Sequence, residues 1–182
     1  WPQKVSWYHF CPAATVKGTI GFNGTSYSIT GTGQQDHVYG DFIPGVTLFK
    51  HWTDAHFYNA TSGFNMYWGT MQNKWSFARI EAQKAPQGLM FEQSEIISKR
   101  IYSDSSTPDR PISYTAVGKS TSTGASFNIA YKVLVPGLKF PPGSYVEDIV
   151  SMSGEYCPTS DPLSCEQVSA RGWAQVIGAP WQ

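Results

Sequence analysis

Charged residues are scarce in this sequence, and their signs balance. They make up 14% of the 182 residues, with 13 basic against 13 acidic side chains. Such a chain has no broad electrostatic field with which to attract polyphosphate or an anionic bilayer. We therefore expect neither nucleic acid nor a membrane surface as a partner.

Long apolar runs and the common catalytic motifs are absent as well. No run approaches the roughly 20 apolar residues of a membrane-spanning helix. Residue 1 is Trp rather than a Met that opens an apolar leader, so we expect a mature or trimmed segment. The sequence has no GxSxG, GxxxxGK[ST] or HExxH motif, and GTGQQDH lacks the third glycine of a dinucleotide site. We predict a binding protein with no enzymatic activity and no cofactor.

Cysteine is also scarce, with only Cys11, Cys157 and Cys165. The stretch CPTSDPLSC closes a small loop that two prolines already bend, which favours a Cys157–Cys165 disulfide and an oxidising compartment. Cys11 is then either a buried apolar residue or the partner of a cysteine outside this segment. The CxxC spacing of many metal sites does not occur.

Aromatic residues, by contrast, are plentiful. They form 15% of the chain and occur with 17 glycines and 12 prolines. This mixture is typical of short strands joined by turns rather than of long helices. Because the length fits one domain with a sizeable core, we predict a single all-β domain.

Several local patterns predict where the strands lie. Asn23-Gly24 separates two short runs rich in Thr, Ile and aromatic residues, which predicts a β-hairpin with a type I′ turn. Residues 126–137 alternate apolar and polar side chains, as a half-buried strand does. Residues 88–103 fit a strand or a helix, and their serines favour the strand. Further strands are predicted for residues 75–82, 144–156 and 172–179.

One stretch, HFYNATSGFNMYWGTMQNKWSF at residues 56–77, combines flat rings with amides. It holds two Trp, two Tyr and three Phe among three Asn, and its one formal charge is Lys74. A saccharide site pairs an aromatic plane for stacking with polar groups for the hydroxyls. The alternative is that half of these rings fill the core of a sandwich. We predict ligand contacts from Trp52, Asp54, Tyr58, Trp68, Gln72, Lys74 and Trp75.

Two other kinds of site stay open at this stage. A pair of carboxylates could hydrolyse a glycoside, which would make the protein a secreted carbohydrate-active enzyme. Three imidazoles could hold a zinc ion with one open position, which would make it a zinc-dependent binding module. The candidate acids are Asp36, Asp41, Asp54, Glu81, Glu92 and Glu95, and the candidate zinc ligands are His37, His51 and His56.

The C-terminal part of the chain resembles a known family. Residues 130–156, AYKVLVPGLKFPPGSYVEDIVSMSGEY, contain a K-V-x-x-P segment followed by a P-x-G-x-Y turn. This arrangement is similar to the closing strands of the receptor-binding domains of chaperone-usher fimbrial tip adhesins, such as that of P pili. Trp1 and the Lys74-Trp75 pair add to the likeness. The stretch WSFARIEA also resembles a strand in the tip adhesin of mannose-resistant Proteus-like fimbriae.

The resemblance implies an all-β, immunoglobulin-like or jelly-roll β-sandwich with Greek-key connections, with residues 1–182 forming one lectin-like receptor-binding domain. It implies a C-terminal pilin domain outside this segment, which would bind a pilin subunit and the periplasmic chaperone. The implied function is attachment of an extracellular fimbrial tip to a host glycan or glycoprotein. A lone sugar in a shallow site binds with about millimolar to micromolar affinity, so many fimbriae together would supply the attachment.

Overall fold

The computed structural model describes most of the chain and divides it into two compact units. The described residues are 5–40, 52–71, 75–82, 85–91, 95–102, 113–137, 139–140 and 145–177. The first unit is Trp1–Ile43 and the second is Pro44–Gln182. One receptor-binding domain over the whole chain stays a prediction.

The first unit contains a long antiparallel hairpin. It is formed by β1 (Val5–Phe22) and β2 (Thr25–Gly40). The turn between the strands is Asn23-Gly24, with φ angles of 47° and 75°. A type I′ turn needs positive φ at both positions, and this dipeptide adopts it at little cost. The predicted hairpin is confirmed.

The second unit is built on one antiparallel sheet of ten strands. Strands β3 to β6 pair in sequence order, as do β7, β8, β9, β11 and β12, while the short β10 pairs with β11 alone. The two runs are joined because β12 pairs back with β3. The strands are β3 (Trp52–Asn59), β4 (Phe64–Met71), β5 (Trp75–Ala82), β6 (Ala85–Phe91), β7 (Ile96–Tyr102), β8 (Ser113–Lys119), β9 (Ser126–Val135), β10 (Lys139–Phe140), β11 (Tyr145–Cys157) and β12 (Glu166–Ile177).

This sheet curls, and β5 and β7 contact each other. The predicted all-β class is confirmed, and the curled antiparallel sheet is consistent with a β-sandwich. Among the described strands the connections follow a meander, whereas the resemblance implies Greek keys. Short turns bring sequential strands side by side, which is why the meander forms.

The described part of the chain has no helix long and apolar enough to cross a bilayer.

One face of the sheet carries an aromatic-rich core. In β9, Phe127, Ile129 and Tyr131 are buried while Asn128 and Lys132 are exposed, which confirms the predicted alternation over this part of the strand. At the end of the strand it stops, because Leu134 and Val135 are both exposed. Tightly packed rings of this kind contribute a large part of the apolar area that folding buries. The largest fully buried side chains include Trp68, Tyr156, Phe57, Phe64, Phe91 and Phe127.

The other strand predictions are confirmed where the structure describes them. Residues 75–82 form β5, and residues 145–156 of the predicted 144–156 segment lie in β11. The described part of 172–179 lies in β12. The described part of 88–103 belongs mainly to β6 and β7, so this segment is extended rather than helical.

A disulfide joins the adjacent ends of two neighbouring strands. Cys157 at the end of β11 is bonded to Cys165, just before β12, which confirms the predicted pairing. The loop between them contains a short 3-10 turn, Pro162–Ser164, which the side chain of Asp161 caps. The side chain of Cys11 lies outside the described part of the chain.

Near this disulfide, a phenol and a carboxylate face each other inside the sheet. Tyr156 and Glu166 are cross-strand partners, and Tyr156 is fully buried. Neither Tyr156 Oη nor Glu166 Oε1 has a hydrogen-bond partner among the described residues. Burial, and secondly the charge of Glu166, raises the pKa of Tyr156 from 10.0 to about 12.

The raised pKa of Tyr156 predicts a loss of stability in alkali. The folded state keeps this phenol protonated up to about pH 12, whereas the unfolded chain loses the proton near pH 10.0. The contribution is therefore complete below pH 10.0 and is lost as the pH rises through about 12. We expect urea unfolding to show a decrease of about 2 to 3 kcal/mol across this window. In Tyr156→Phe that decrease should become smaller, and an unchanged pH dependence would contradict the assignment.

Candidate functional site

A carboxylate, an imidazole and a phenol meet on the face of the sheet opposite the aromatic core. His56 on β3 is the register partner of Tyr67 on β4 and of Trp173 on β12. Asp54 precedes His56 by two residues, so both side chains project from the same face of β3. We call Asp54, His56, Tyr67 and Trp173 the Asp54 cluster.

The groups of the Asp54 cluster are in close contact, with one hydrogen bond among them. The Tyr67 hydroxyl donates a hydrogen bond to Asp54 Oδ2 at 3.2 Å, and His56 Nε2 lies 3.5 Å from the same oxygen. The His56 ring lies 3.8 Å from the Tyr67 ring and stacks on Trp173 at 4.4 Å between centroids. Two rings thus fix the plane of the imidazole beside a carboxylate.

The cluster is withdrawn from solvent. Asp54 is 2% exposed, His56 6% and Tyr67 3%. A buried carboxylate is costly unless hydrogen-bond donors or a positive charge compensate it, and the hydrogen bond from the phenol supplies part of this compensation. The charge of Asp54 also acts on the core, where the pKa of Tyr131 is raised well above its ordinary value by burial, then by Tyr114 and by Asp54.

A second set of polar side chains lies beside the cluster on the same face. Arg79 is the register partner of Tyr67, and its Nη2 lies 2.8 Å from Glu81 Oε1. Asn65 donates a hydrogen bond from Nδ2 to the other oxygen, Glu81 Oε2, at 3.3 Å. Both oxygens of Glu81 are therefore engaged within the sheet.

An open groove of about 450 Å³ lies at the end of β3. Tyr58, Arg171 and Ser151 are register partners on three neighbouring strands and line it side by side. Asn59 donates a hydrogen bond to the Ser169 carbonyl at 2.7 Å, which ties β3 to β12 at this point. We call this cavity the Tyr58 groove. Its lining is completed by Ala60, Met152 and Ala170.

Comparison with known proteins shows the fold and no family. The chain matches no protein-family profile and no curated sequence. It is similar in structure to kievitone hydratase from Nectria haematococca, with a TM-score of 0.68, 12% identity and coverage of 97% of this chain and 54% of the hydratase. It is also similar to a protein described as AttH from Nitrosomonas europaea, with a TM-score of 0.64, 14% identity and coverage of 96% of this chain and 52% of that one.

These similarities support the all-β fold alone, because the identities are low. The chain spans about half the length of each of the two proteins. One of them is named as an enzyme, so this fold does occur in catalytic proteins.

The structure corrects part of the predicted ligand-binding set. Trp68 is fully buried and packs on Tyr114 with 4.6 Å between ring centroids, so it cannot stack on a sugar at the surface. Its position beside Ala55 in the register places it on the core face of β4. Asp54 is buried too, and its Oδ2 accepts from Tyr67 rather than from a ligand at a shallow site.

The other predicted ligand contacts fall into two groups. Tyr58 is half-buried and lines the Tyr58 groove, where a ligand can reach it. The side chains of Trp52, Gln72, Lys74 and Trp75 lie outside the described part of the structure.

The predicted zinc ligands do not form a group within the described residues. His51 lies outside them, and His37 and His56 belong to different units. Among the described side chains, Glu155, Cys157 and Cys165 are close enough to share an ion. Both cysteines are in the disulfide, which leaves one carboxylate as a ligand.

The predicted acids do not form a hydrolytic pair where they are described. Asp54 is bound to Tyr67, Glu81 to Arg79, and Glu95 accepts a hydrogen bond from the Thr121 N–H at 2.9 Å. The side chains of Asp36, Asp41 and Glu92 lie outside the described residues.

Two members of the Asp54 cluster were missed at the sequence level. Tyr67 lies in the aromatic stretch 56–77 and Trp173 in the predicted strand 172–179, and neither is among the predicted ligand contacts. A usable signal was the Asp-x-His spacing at residues 54 and 56, which places a carboxylate and an imidazole on one face of any strand.

Proposed function

We propose that this chain is part of an enzyme that moves protons to and from a small organic molecule. The observation that carries the proposal is the carboxylate, imidazole and phenol gathered at Asp54, His56 and Tyr67. Buried titratable side chains gathered in one place are candidates for a catalytic site. The proposal replaces our sequence-based expectation of binding without chemistry.

Each group in the cluster has a role in proton transfer. His56 would exchange the proton, because imidazole gains and loses one near neutral pH more readily than other side chains. Asp54, 3.5 Å from Nε2, would stabilise the imidazolium that forms. Tyr67 would hold Asp54 in position through its hydrogen bond of 3.2 Å.

Addition or loss of water is the reaction class that we propose first. In a hydration, one carbon of a double bond takes the water oxygen and the other takes a proton, while the water releases a proton. One group that alternately accepts and donates a proton can serve both events. Kievitone hydratase has a similar fold, and its name describes an enzyme of this reaction class.

The test is a search for water addition with a matched pair of variants. The purified chain is incubated with aryl alkenes and enones in water labelled with heavy oxygen, and mass spectrometry detects labelled products. We expect product with the native chain and with Glu81→Gln, and none with Asp54→Asn. Absence of product from every compound, or equal turnover by Asp54→Asn, would contradict the proposal.

A second candidate is the receptor-binding role implied by the resemblance to fimbrial tip adhesins. The observation that favours it is the Tyr58 groove, where a predicted ligand-binding ring lies beside the polar side chains of Ser151 and Arg171. Such a combination suits a sugar ring and its hydroxyls. The host receptor, the pilin and chaperone partners, and the extracellular fimbrial location all belong to this proposal.

For this second candidate we expect a hit on a glycan array that disappears in Tyr58→Ala. The reason is that stacking on this ring would supply much of the contact in a shallow site. Tyr27→Ala is the matched control, because Tyr27 is 51% exposed on the hairpin. This substitution removes the same kind of ring from another part of the chain. Binding retained in Tyr58→Ala would count against the groove as the glycan site.

A further inference from the structure

The positively charged side chain of Arg171 lies in the Tyr58 groove, in a row with two other side chains. Ser151, Arg171 and Tyr58 are direct register partners, so they project from one face of three adjacent strands. Cross-strand partners have their Cβ atoms about 5 Å apart. A ligand in the groove therefore meets a hydroxyl, a guanidinium and an aromatic ring in sequence.

Arg171 is available to a ligand. Within the described part of the structure it makes no ion pair or side-chain hydrogen bond, and it is exposed. On the same face, Glu81 is engaged by Arg79, and Glu155 accepts a hydrogen bond from Gln167 at 3.1 Å. Neither carboxylate forms an ion pair with Arg171 in the described part of the structure.

A second positive charge lies next to the groove. Lys132 on β9 is the register partner of Ser151, and it is exposed. Ser151 is thus flanked by Lys132 on one side and by Arg171 on the other. Two cations around a hydroxyl attract an anion, and the guanidinium fork matches a carboxylate in particular.

The remaining lining suits a compact carbon skeleton. Tyr58 provides a half-buried ring and Ala60 an exposed methyl group, whereas Met152 and Ala170 belong to the buried core. The volume of about 450 Å³ lies within the range of small-molecule sites. An aromatic ring beside a guanidinium indicates a small organic anion rather than an inorganic one.

We propose that the Tyr58 groove binds a small organic carboxylate, with the carboxylate on Arg171 and the carbon skeleton against Tyr58. Aromatic acids and acidic sugars share this chemistry. The inference is independent of the proposed chemistry, since it uses none of the side chains of the Asp54 cluster, and it assigns a ligand class to the groove named in the second candidate.

Isothermal titration calorimetry of the native chain tests the proposal. The probes are 4-hydroxybenzoate, its neutral analogue 4-hydroxybenzamide, and N-acetylneuraminic acid as the acidic sugar. We expect at least one carboxylate to bind, and the benzoate to bind at least about tenfold more tightly than the benzamide if it is the ligand that binds. Preference for the sugar acid or for the aromatic acid identifies the source of the carboxylate.

Variants then separate the anchor from general electrostatics. Arg171→Gln should weaken carboxylate binding by about tenfold or more, and Arg171→Lys should recover part of it, because the charge returns without the fork. Lys119→Gln is the control, because it removes the same single positive charge as Arg171→Gln. Lys119 pairs with Ser126, six residues from Lys132 along β9, which is roughly 20 Å away. It should bind as the native chain does.

Three results would overturn the inference. The first is that neither carboxylate binds. The second is that the benzoate and the benzamide bind equally well while the sugar acid does not bind. The third is that folded Arg171→Gln binds as tightly as the native chain. Asp54→Asn should bind the carboxylate normally, so a failure of the proposed chemistry at Asp54 is distinguishable from a failure of the groove.

Discussion

Replacing Gly172 with alanine is expected to destabilise the second unit strongly. A Cβ at this position would collide with the His56 carbonyl oxygen and would lie 3.0 Å from Phe57 Cα. Both are backbone atoms of β3, and they cannot move aside without distorting the hydrogen-bonded β3–β12 ladder. Relief of the collision therefore requires the two strands to separate.

The expected loss is about 3 kcal/mol or more of unfolding free energy, the upper part of the range for added volume in a packed interior. In a chain of this size that corresponds to a decrease in Tm of roughly 6 to 12 °C. Thermal and urea unfolding measure it. Gly21→Ala is the matched control, because a Cβ there meets nothing within 4 Å. Equal stability of the two variants would show that β12 and β3 are not this close.

Replacing His56 with glutamine is expected to reduce kcat/KM by about 100-fold to 10,000-fold in the reaction found for this chain. Glutamine keeps polarity and approximate length but cannot exchange a proton at neutral pH. KM should change little, because the 6% exposed His56 offers a bound molecule little contact area. The loss should therefore lie in kcat.

Two further variants place this result in context. Tyr67→Phe should lose less activity than His56→Gln, since it removes only the hydrogen bond to Asp54 at 3.2 Å. Glu81→Gln should retain activity, because Glu81 is engaged by Arg79 outside the cluster. A His56→Gln variant with native kcat would exclude His56 as the proton carrier.

The parts of the fold that were predicted correctly depend on local physical chemistry. Asn23-Gly24 specifies its turn because both residues tolerate positive φ. The alternation in β9 follows from one face being buried and the other solvated. The Cys157–Cys165 pairing follows from a short loop between two strand ends.

The placement of the site could not be predicted in the same way. β4 is buried on both faces from residue 64 to residue 69, so alternation does not separate Tyr67 in the cluster from Trp68 in the core. The groove and the cluster both depend on the pairing of β12 with β3, which joins residues such as Asn59 and Ser169 that are 110 positions apart. No local pattern encodes that contact.

The pairing of β12 with β3 has a consequence for the order in which the sheet can assemble. Ile177 and Trp52 are register partners, so the start of the first strand of the sheet lies beside the end of its last strand, with Cα atoms about 5 Å apart. In the native chain order this ladder closes a very long loop, which slows folding. A circularly permuted second unit, linked from 177 to 52 and opened between β6 and β7, would turn it into a local hairpin and keep every other pairing of the ten-stranded sheet.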